Sequence, residues 1–236
     1  MQAVILAGGK GTRLKPFTSN IPKPLVPVGD RPILEYVLAQ LKHFGFKDVV
    51  LAVNHLAELI MSFAGDGRKW GLNIRYSLED EPLGTAGPLS MIDGLEDNFL
   101  VMNGDLLTTI DYKDFYNYHC SSKNVATIST YKRTVNIDYG VLHTDNNGMV
   151  TDYIEKPEYN FHVSAGLNML NKDVLKNIPS GKKYDIPDLI KELISRDKFV
   201  GTYYKDYYWL DIGRISDYEM AIEIIKERES EFLYNG

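Results

Sequence analysis

The chain has 236 residues, 44% apolar and 25% charged, with a formal net charge of −6. That length supports one large domain, or one domain with a small lobe, and the acidic balance excludes general binding to nucleic acid or anionic membranes. A lone cysteine, Cys120, excludes an internal disulfide and a cysteine-cluster metal site, and no apolar stretch reaches membrane-span length, so a reducing, cytoplasmic location is expected.

The first element is the apolar run Met1 to Ala7, which ends in Gly8-Gly9-Lys10-Gly11-Thr12-Arg13-Leu14-Lys15. It is too short for a signal peptide and reads as a buried strand. Gly8, Gly9 and Gly11 remove side chains that would hold a ligand away, and Lys10, Arg13 and Lys15 place charge beside free amides. A polyphosphate fits this loop. The spacing is neither a P-loop nor a dinucleotide fingerprint, because Leu14 stands where the latter needs its third glycine. The tripeptide Pro22-Lys23-Pro24 predicts a stiff, non-helical stretch that presents Lys23 as a second contact for phosphates.

Pro32 then opens a helical period, Ile33, Leu34, Val37, Leu38, Leu41 and Phe44, which Gly45 ends. Asp48 to Val53 reads as a buried strand, His55 to Phe63 as a short helix and Leu72 to Leu78 as a strand. A loop from Glu79 to Gly84 leads into a predicted helix from Thr85 to Gly94, and Phe99 to Met102 is a further strand ending at Asn103-Gly104-Asp105. This alternation implies a parallel sheet with helices on both faces. The second half differs. Val125–Tyr131, Tyr139–Thr144 and Met149–Ile154 read as strands, the last two joined by the turn Asn146-Asn147-Gly148. Strand Val163–Leu170, helix Asp185–Ser195, strand Phe199–Tyr204 and helix Ser216–Glu229 follow. The late tyrosines Tyr203, Tyr204, Tyr207 and Tyr208 would pack a sheet or a partner surface.

Ligands of open α/β sheets sit beyond the carboxyl ends of the strands, where Asp105 falls. Asp211, in Tyr208-Trp209-Leu210-Asp211-Ile212-Gly213, is an acid in an apolar strand and costly to bury unless paired or metal-bound. Were the two aspartates to converge, they would offer hard oxygen ligands to Mg²⁺.

Seven runs occur in order: Leu6 to Leu14, Pro22-Lys23-Pro24, Glu81 to Gly87, Asn103-Gly104-Asp105, Tyr139-Gly140-Val141, Glu155-Lys156-Pro157 and Trp209 to Gly213. Together they resemble the sugar-1-phosphate nucleotidyltransferases over nearly the whole chain, and Glu81 to Leu89 resembles the mannose-1-phosphate guanylyltransferase branch. The resemblance implies a Rossmann-like, three-layer α/β/α fold with a mixed, mostly parallel sheet and an antiparallel sugar-binding lobe. It implies one domain, with a nucleotide half over about residues 1–110 and a sugar-phosphate half over about 111–236, and no C-terminal β-helix. The implied reaction is transfer of a nucleotidyl group from a nucleoside triphosphate, GTP favoured, to a sugar 1-phosphate, with Mg²⁺ as cofactor. Homo-oligomers are common in such a family.

By the same resemblance, Leu6, Ala7, Gly8, Gly9, Gly11, Thr12, Arg13, Lys23, Glu79, Gly84 and Thr85 bind the nucleotide. Arg13, Lys23 and Asp105 are catalytic, and Asp105 and Asp211 bind the metal. Gly140, Glu155, Lys156, Ser164 and Asn168 take the sugar phosphate. Glu79 is expected to read the N1–H and N2–H₂ edge of guanine, with Glu81 as its rival. Ser164-Ala165-Gly166 departs from the Asn-Ala-Gly of guanylyltransferases, which leaves mannose, a related hexose, glucosamine and a heptose open on the sugar side. Uridylyl or thymidylyl transfer is the alternative reaction, and a non-catalytic nucleotide-sugar-binding subunit the alternative class. A glycosyltransferase is disfavoured because no Asp-x-Asp occurs.

Overall fold

A computed structural model describes residues 1–233. In chain order the strands are Gln2–Leu6 (β1), Pro27–Val28 (β2), Arg31–Pro32 (β3), Asp48–Val53 (β4), Asn73–Leu78 (β5), Asn98–Asn103 (β6), Leu106–Thr108 (β7), Ala126–Asn136 (β8), Val141–Thr144 (β9), Val150–Ile154 (β10), Glu158–Asn171 (β11), Val200–Tyr203 (β12) and Trp209–Asp211 (β13). The α-helices are Ile33–His43 (α1), Ala57–Ala64 (α2), Tyr112–Ser121 (α3), Ile186–Ser195 (α4) and Ile215–Phe232 (α5).

Seven strands form the main sheet in the order β12-β8-β11-β6-β1-β4-β5. Strands β5, β4, β1 and β6 run parallel, β11 runs antiparallel to both β6 and β8, and β12 is parallel to β8. The fold is therefore α/β with a mixed, mostly parallel sheet. Strand β1 has no polar face because both faces are covered. Ile5 packs with Leu34, Leu38, Met102 and Phe115 on one side. Val4 packs with Val101, Leu89 and Leu189 on the other. A third cluster, Leu14, Val26, Ile33, Ile212, Ile225 and Phe232, ties α5 to the segment after the glycine loop.

The structure corrects three expectations. The predicted helix Thr85–Gly94 is a short 3-10 turn, Gly87–Met91. Ala86 and Gly87 donate their N–H groups to Tyr184 O, each at 2.9 Å, so the chain is knit to a neighbouring segment instead of coiling on itself. Pro22-Lys23-Pro24 is not wholly extended, since Lys23–Leu25 forms a 3-10 turn with Pro24 at its second position. Strands β8 and β11 are far longer than expected. Beyond the sheet they continue as a two-stranded ribbon, Lys132 opposite His162 and Asn136 opposite Glu158, and among the described residues the antiparallel pair β9–β10 hydrogen-bonds to no other strand. We call this ribbon and hairpin the arm. Of the late tyrosines, Tyr203 and Tyr207 are buried and Tyr204 is exposed. Among the described residues, no helix is long and apolar enough to cross a membrane.

Candidate active site

The parallel strands β1, β5 and β6 end at Leu6, Leu78 and Asn103, and each leads directly into site residues. After β1, Gly8 approaches so closely that a Cβ there would lie 3.2 Å from Glu79 Oε1. Gly11 has φ +58° and its carbonyl accepts the Thr18 hydroxyl at 2.7 Å, which fixes the turn. Buried Leu14 anchors the loop while Thr12 and Arg13 stay exposed. Gly213 leaves room for Arg13: a Cβ there would lie 3.4 Å from Arg13 Nη2.

Two cavities open along this edge. The first, about 310 Å³, is lined by Leu6, Ala7, Gly8 and Gly9, by Glu79, Pro82, Gly84 and Thr85, and by Lys23, Asn103 and Asp105. The second, about 510 Å³, is lined by Ser164, Gly166, Asn168, Asp185, Asp188, Trp209 and Asp211. Thr85 and Asn103 line both. The carboxylates Asp105 and Asp211 are thus divided between two adjoining cavities.

One short ladder holds that carboxylate pair. β13 pairs antiparallel with β7, Asp211 opposite Leu106, and the Ile212 N–H donates to Asp105 O at 3.2 Å. Lys23 Nζ donates to Asp105 Oδ2 and lies 3.7 Å from Asp211 Oδ1. Asp105 Oδ1 and Asp211 Oδ1 are buried without a hydrogen-bond partner. Burial, and then the neighbouring Asp105, push the Asp211 carboxyl above its ordinary value, with Lys23 and Arg13 pulling the other way. Among the described residues no cluster of three or more acidic, His or Cys side chains is placed to hold a metal. Two bare carboxylate oxygens still fit Mg²⁺, which is satisfied by one or two carboxylates plus waters and ligand phosphates.

Glu79 is buried against the first cavity, and burial raises its carboxyl, partly offset by the Leu83 N–H that donates to Oε2 at 2.9 Å. Glu81, the rival, is exposed and lines neither cavity. Gly84 has φ +81°, and a Cβ there would lie 2.6 Å from Asp185 Oδ1. Thr85 donates its N–H and hydroxyl to that oxygen at 2.9 and 3.1 Å and accepts the Ile186 N–H at 2.8 Å. Around Ser164-Ala165-Gly166 the register against β8 slips, Gly166 takes φ +74°, and Trp209 Nε1 donates to Ala165 O at 2.7 Å.

Gly140, Glu155 and Lys156 are not brought to either cavity. They lie on the arm, where exposed Glu155 accepts the Tyr153 hydroxyl at 2.9 Å and exposed Lys156 has φ +46°. Conversely, Asp185, Asp188 and the Trp209 side chain line the second cavity without having been expected there. A signal existed for the first two: Asp185-Ile186-Pro187-Asp188 is a helix-start pattern with Pro at an early position, which fixes where α4 begins.

A mixed α/β sheet with adjoining cavities beyond its carboxyl ends is the architecture of a nucleotide-binding α/β protein. The family profile described as Nucleotidyl transferase matches residues 2–228, and the chain belongs to that family. It is 35% identical to a UTP–glucose-1-phosphate uridylyltransferase of Synechocystis, over 97% of this chain and 64% of the relative. It is 36% identical to a probable mannose-1-phosphate guanylyltransferase 1 of Oryza sativa, over 95% of this chain and 64% of the relative. The chain thus spans 64% of the length of each of these two relatives. The solved structure of HddC from Yersinia pseudotuberculosis superposes with TM-score 0.72 at 28% identity, covering 94% of this chain and 98% of that one. HddC has also been solved in complex with GMP-PN.

Proposed function

We propose that the chain transfers a nucleotidyl group, GMP from GTP, to a sugar 1-phosphate with the assistance of Mg²⁺. The observation that carries this reading is the Asp105–Lys23–Asp211 cluster at the junction of two cavities. In this reading the nucleotide occupies the first cavity, with its phosphates on the amides of Gly8 to Gly11. Arg13 and Lys23 offset charge on the phosphates, Arg13 toward the departing pyrophosphate and Lys23 at the α-phosphate. An oxygen of the sugar phosphate forms the new bond to the α-phosphorus as the bond to pyrophosphate breaks. No covalent nucleophile is required, because the attacking phosphate is already ionised. Asp105 and Asp211 would hold Mg²⁺, which supplies neutralisation of phosphate charge when bound.

The preference for GTP rests on Glu79. A buried carboxylate in the nucleotide cavity suits the two adjacent donors of guanine and repels the carbonyls of uracil or thymine. HddC, solved with GMP-PN, supports the same reading. The uridylyltransferase relative keeps uridylyl transfer as a second reading. Pyrophosphate release, measured for four nucleoside triphosphates against a panel of sugar 1-phosphates, tests both. Release with GTP alone supports guanylyl transfer, and release with UTP but not GTP reverses the assignment. Glu79→Gln should lower the kcat/KM ratio of GTP over UTP by about tenfold, since one charge-assisted hydrogen bond is lost. Wild-type preference for GTP should also decline as pH falls through the Glu79 pKa, which burial sets above the usual carboxylate value, whereas the Gln variant should show no such decline.

A further inference from the structure

Asp185 stands at the N-cap position of α4, where an aspartate ordinarily accepts an N–H of its own helix, yet its side chain makes no such bond. Its Oδ1 turns instead to Thr85, 100 residues away in the chain, and accepts that residue's N–H at 2.9 Å and its hydroxyl at 3.1 Å. Thr85 Oγ1 in return accepts the Ile186 N–H at 2.8 Å. The helix is thus capped by a loop residue, and the loop is held by the helix's own cap. A local bond has been given up for a long-range one.

The rest of this contact is built in the same way. The Tyr184 N–H donates to Leu83 O at 2.9 Å, and Tyr184 O accepts the N–H groups of Ala86 and Gly87, each at 2.9 Å. The two segments run so close that a Cβ on Gly84 would lie 2.6 Å from Asp185 Oδ1, and one on Gly87 2.6 Å from Lys182 O. Leu83 also donates its own N–H to Glu79 Oε2 at 2.9 Å. The Glu79 backbone is fixed independently, its N–H donating to Val53 O at 3.0 Å and its carbonyl accepting Asn54 Nδ2 at 2.6 Å. What Leu83 adds is therefore the direction of the carboxylate. A tether leads from Asp185, which lines the second cavity, to the Glu79 side chain, which lines the first.

Resting on the reading that the first cavity holds the base, we propose that Asp185 is a positioning residue for base selection. By holding Thr85 it fixes the turn at Gly84, and with it the Leu83 N–H that aims Glu79. A carboxylate free to swing distinguishes the donors of guanine from the carbonyls of uracil less sharply, because discrimination needs an acceptor held in place. Asp185 acts through Thr85 and Leu83 rather than by touching the base.

The readout is the kcat/KM ratio of GTP over UTP at a fixed sugar 1-phosphate, which does not depend on the fraction of enzyme that is folded. Asp185→Ser keeps a residue able to cap α4 but too short to reach Thr85. It should lower the ratio about tenfold, the size of losing one hydrogen bond to a charged group. Amide exchange at Thr85 and at Leu83 should quicken about tenfold in the same variant. Asp185→Asn, which keeps an acceptor oxygen at the same reach, should hold the ratio within about threefold of the wild type. A wild type that prefers UTP reverses the guanine assignment but leaves the test standing, with the ratio taken the other way. A ratio unmoved in Asp185→Ser, a change confined to the sugar-phosphate KM, or an Asn variant as impaired as the Ser variant overturns the proposal. So does a wild type that does not distinguish the two nucleotides. Absence of pyrophosphate release with every pair of substrates overturns instead the reading on which it rests, and Leu83 exchange then still reports whether the tether reaches Glu79.

Discussion

Lys23 stands between two carboxylates that would otherwise face each other with nothing but solvent to separate their charge. Among the described residues its ammonium is the only cation lining either cavity, which makes it a structural counter-ion and, in the proposed reading, the contact for a phosphate. In the proposed reading, the arrival of phosphates and a divalent ion would release Lys23 from its first duty and free it for the second. Replacing it by methionine keeps most of the volume and removes the charge. The Lys23→Met variant should lose about 100-fold or more in kcat/KM, with a smaller change in nucleotide affinity, because the charge it neutralises grows in the transition state. Its melting temperature in divalent-free buffer should fall, and Mg²⁺ should restore more of it than in the wild type. Steady-state kinetics and thermal denaturation with and without Mg²⁺ check both outcomes.

At the scale of elements, α3 shows how a buried polar residue secures packing. His119 on α3 meets Thr127 Oγ1 of β8 through Nδ1 at 2.8 Å and Asn98 Oδ1 of β6 through Nε2 at 3.1 Å. Burial lowers its pKa below the ordinary 6.5. Below that value the unfolded chain binds a proton that the folded chain refuses, so stability falls as the medium is acidified. His119→Gln should flatten the stability curve between about pH 7 and about pH 5, as read by urea denaturation at each pH. Other elements mark where the sequence was legible. Strands β1, β4 and β6 are continuous apolar runs and α1 a clean amphipathic period, because local pattern and global burial agree there. The helix predicted after Thr85 failed because hydrogen bonds to Tyr184, about a hundred residues away, outbid local coiling. The counterpart failure was the omission of helix α3: its face is aromatic and polar, Tyr112-Lys113-Asp114-Phe115-Tyr116, so the apolar period is faint, although Asp111 caps it by accepting the Asp114 N–H at 2.8 Å. Among candidate site residues, motifs at strand ends located Gly8, Lys23 and Asp105 along one edge. The placement of Gly140, Glu155 and Lys156 was not legible, since the reach of β8 and β11 beyond the sheet depends on their mutual pairing.

For the whole molecule, the contrast is between a sheet covered on both faces and an arm that is mostly exposed. All five residues of β10 are exposed, and a lone two-stranded hairpin is marginally stable in water. Amide hydrogen exchange should therefore be slow in β1, β4 and β6 and fast across residues 141–154. If Lys156 and Glu155 engage the sugar phosphate as the family resemblance implies, adding nucleotide and sugar 1-phosphate should protect the arm. Lys156→Ala should abolish that gain and raise the sugar-phosphate KM about tenfold with nucleotide KM unchanged. An arm that exchanges equally fast with and without substrates has no part in binding.

The β7–β13 ladder has a consequence for how such a protein can change over time. It fixes Asp105 against Asp211 with backbone bonds alone and shares no strand with the main sheet. The cavity walls come from elsewhere as well: the loop after β5, the slipped register of β11 and the start of α4. Substitutions in those walls leave the ladder's backbone bonds intact. In the proposed reading, a lineage can therefore exchange one base or one sugar for another by successive wall mutations, each intermediate keeping the Asp105–Asp211 pair in place, and a protein engineer can graft a foreign wall onto the same chassis.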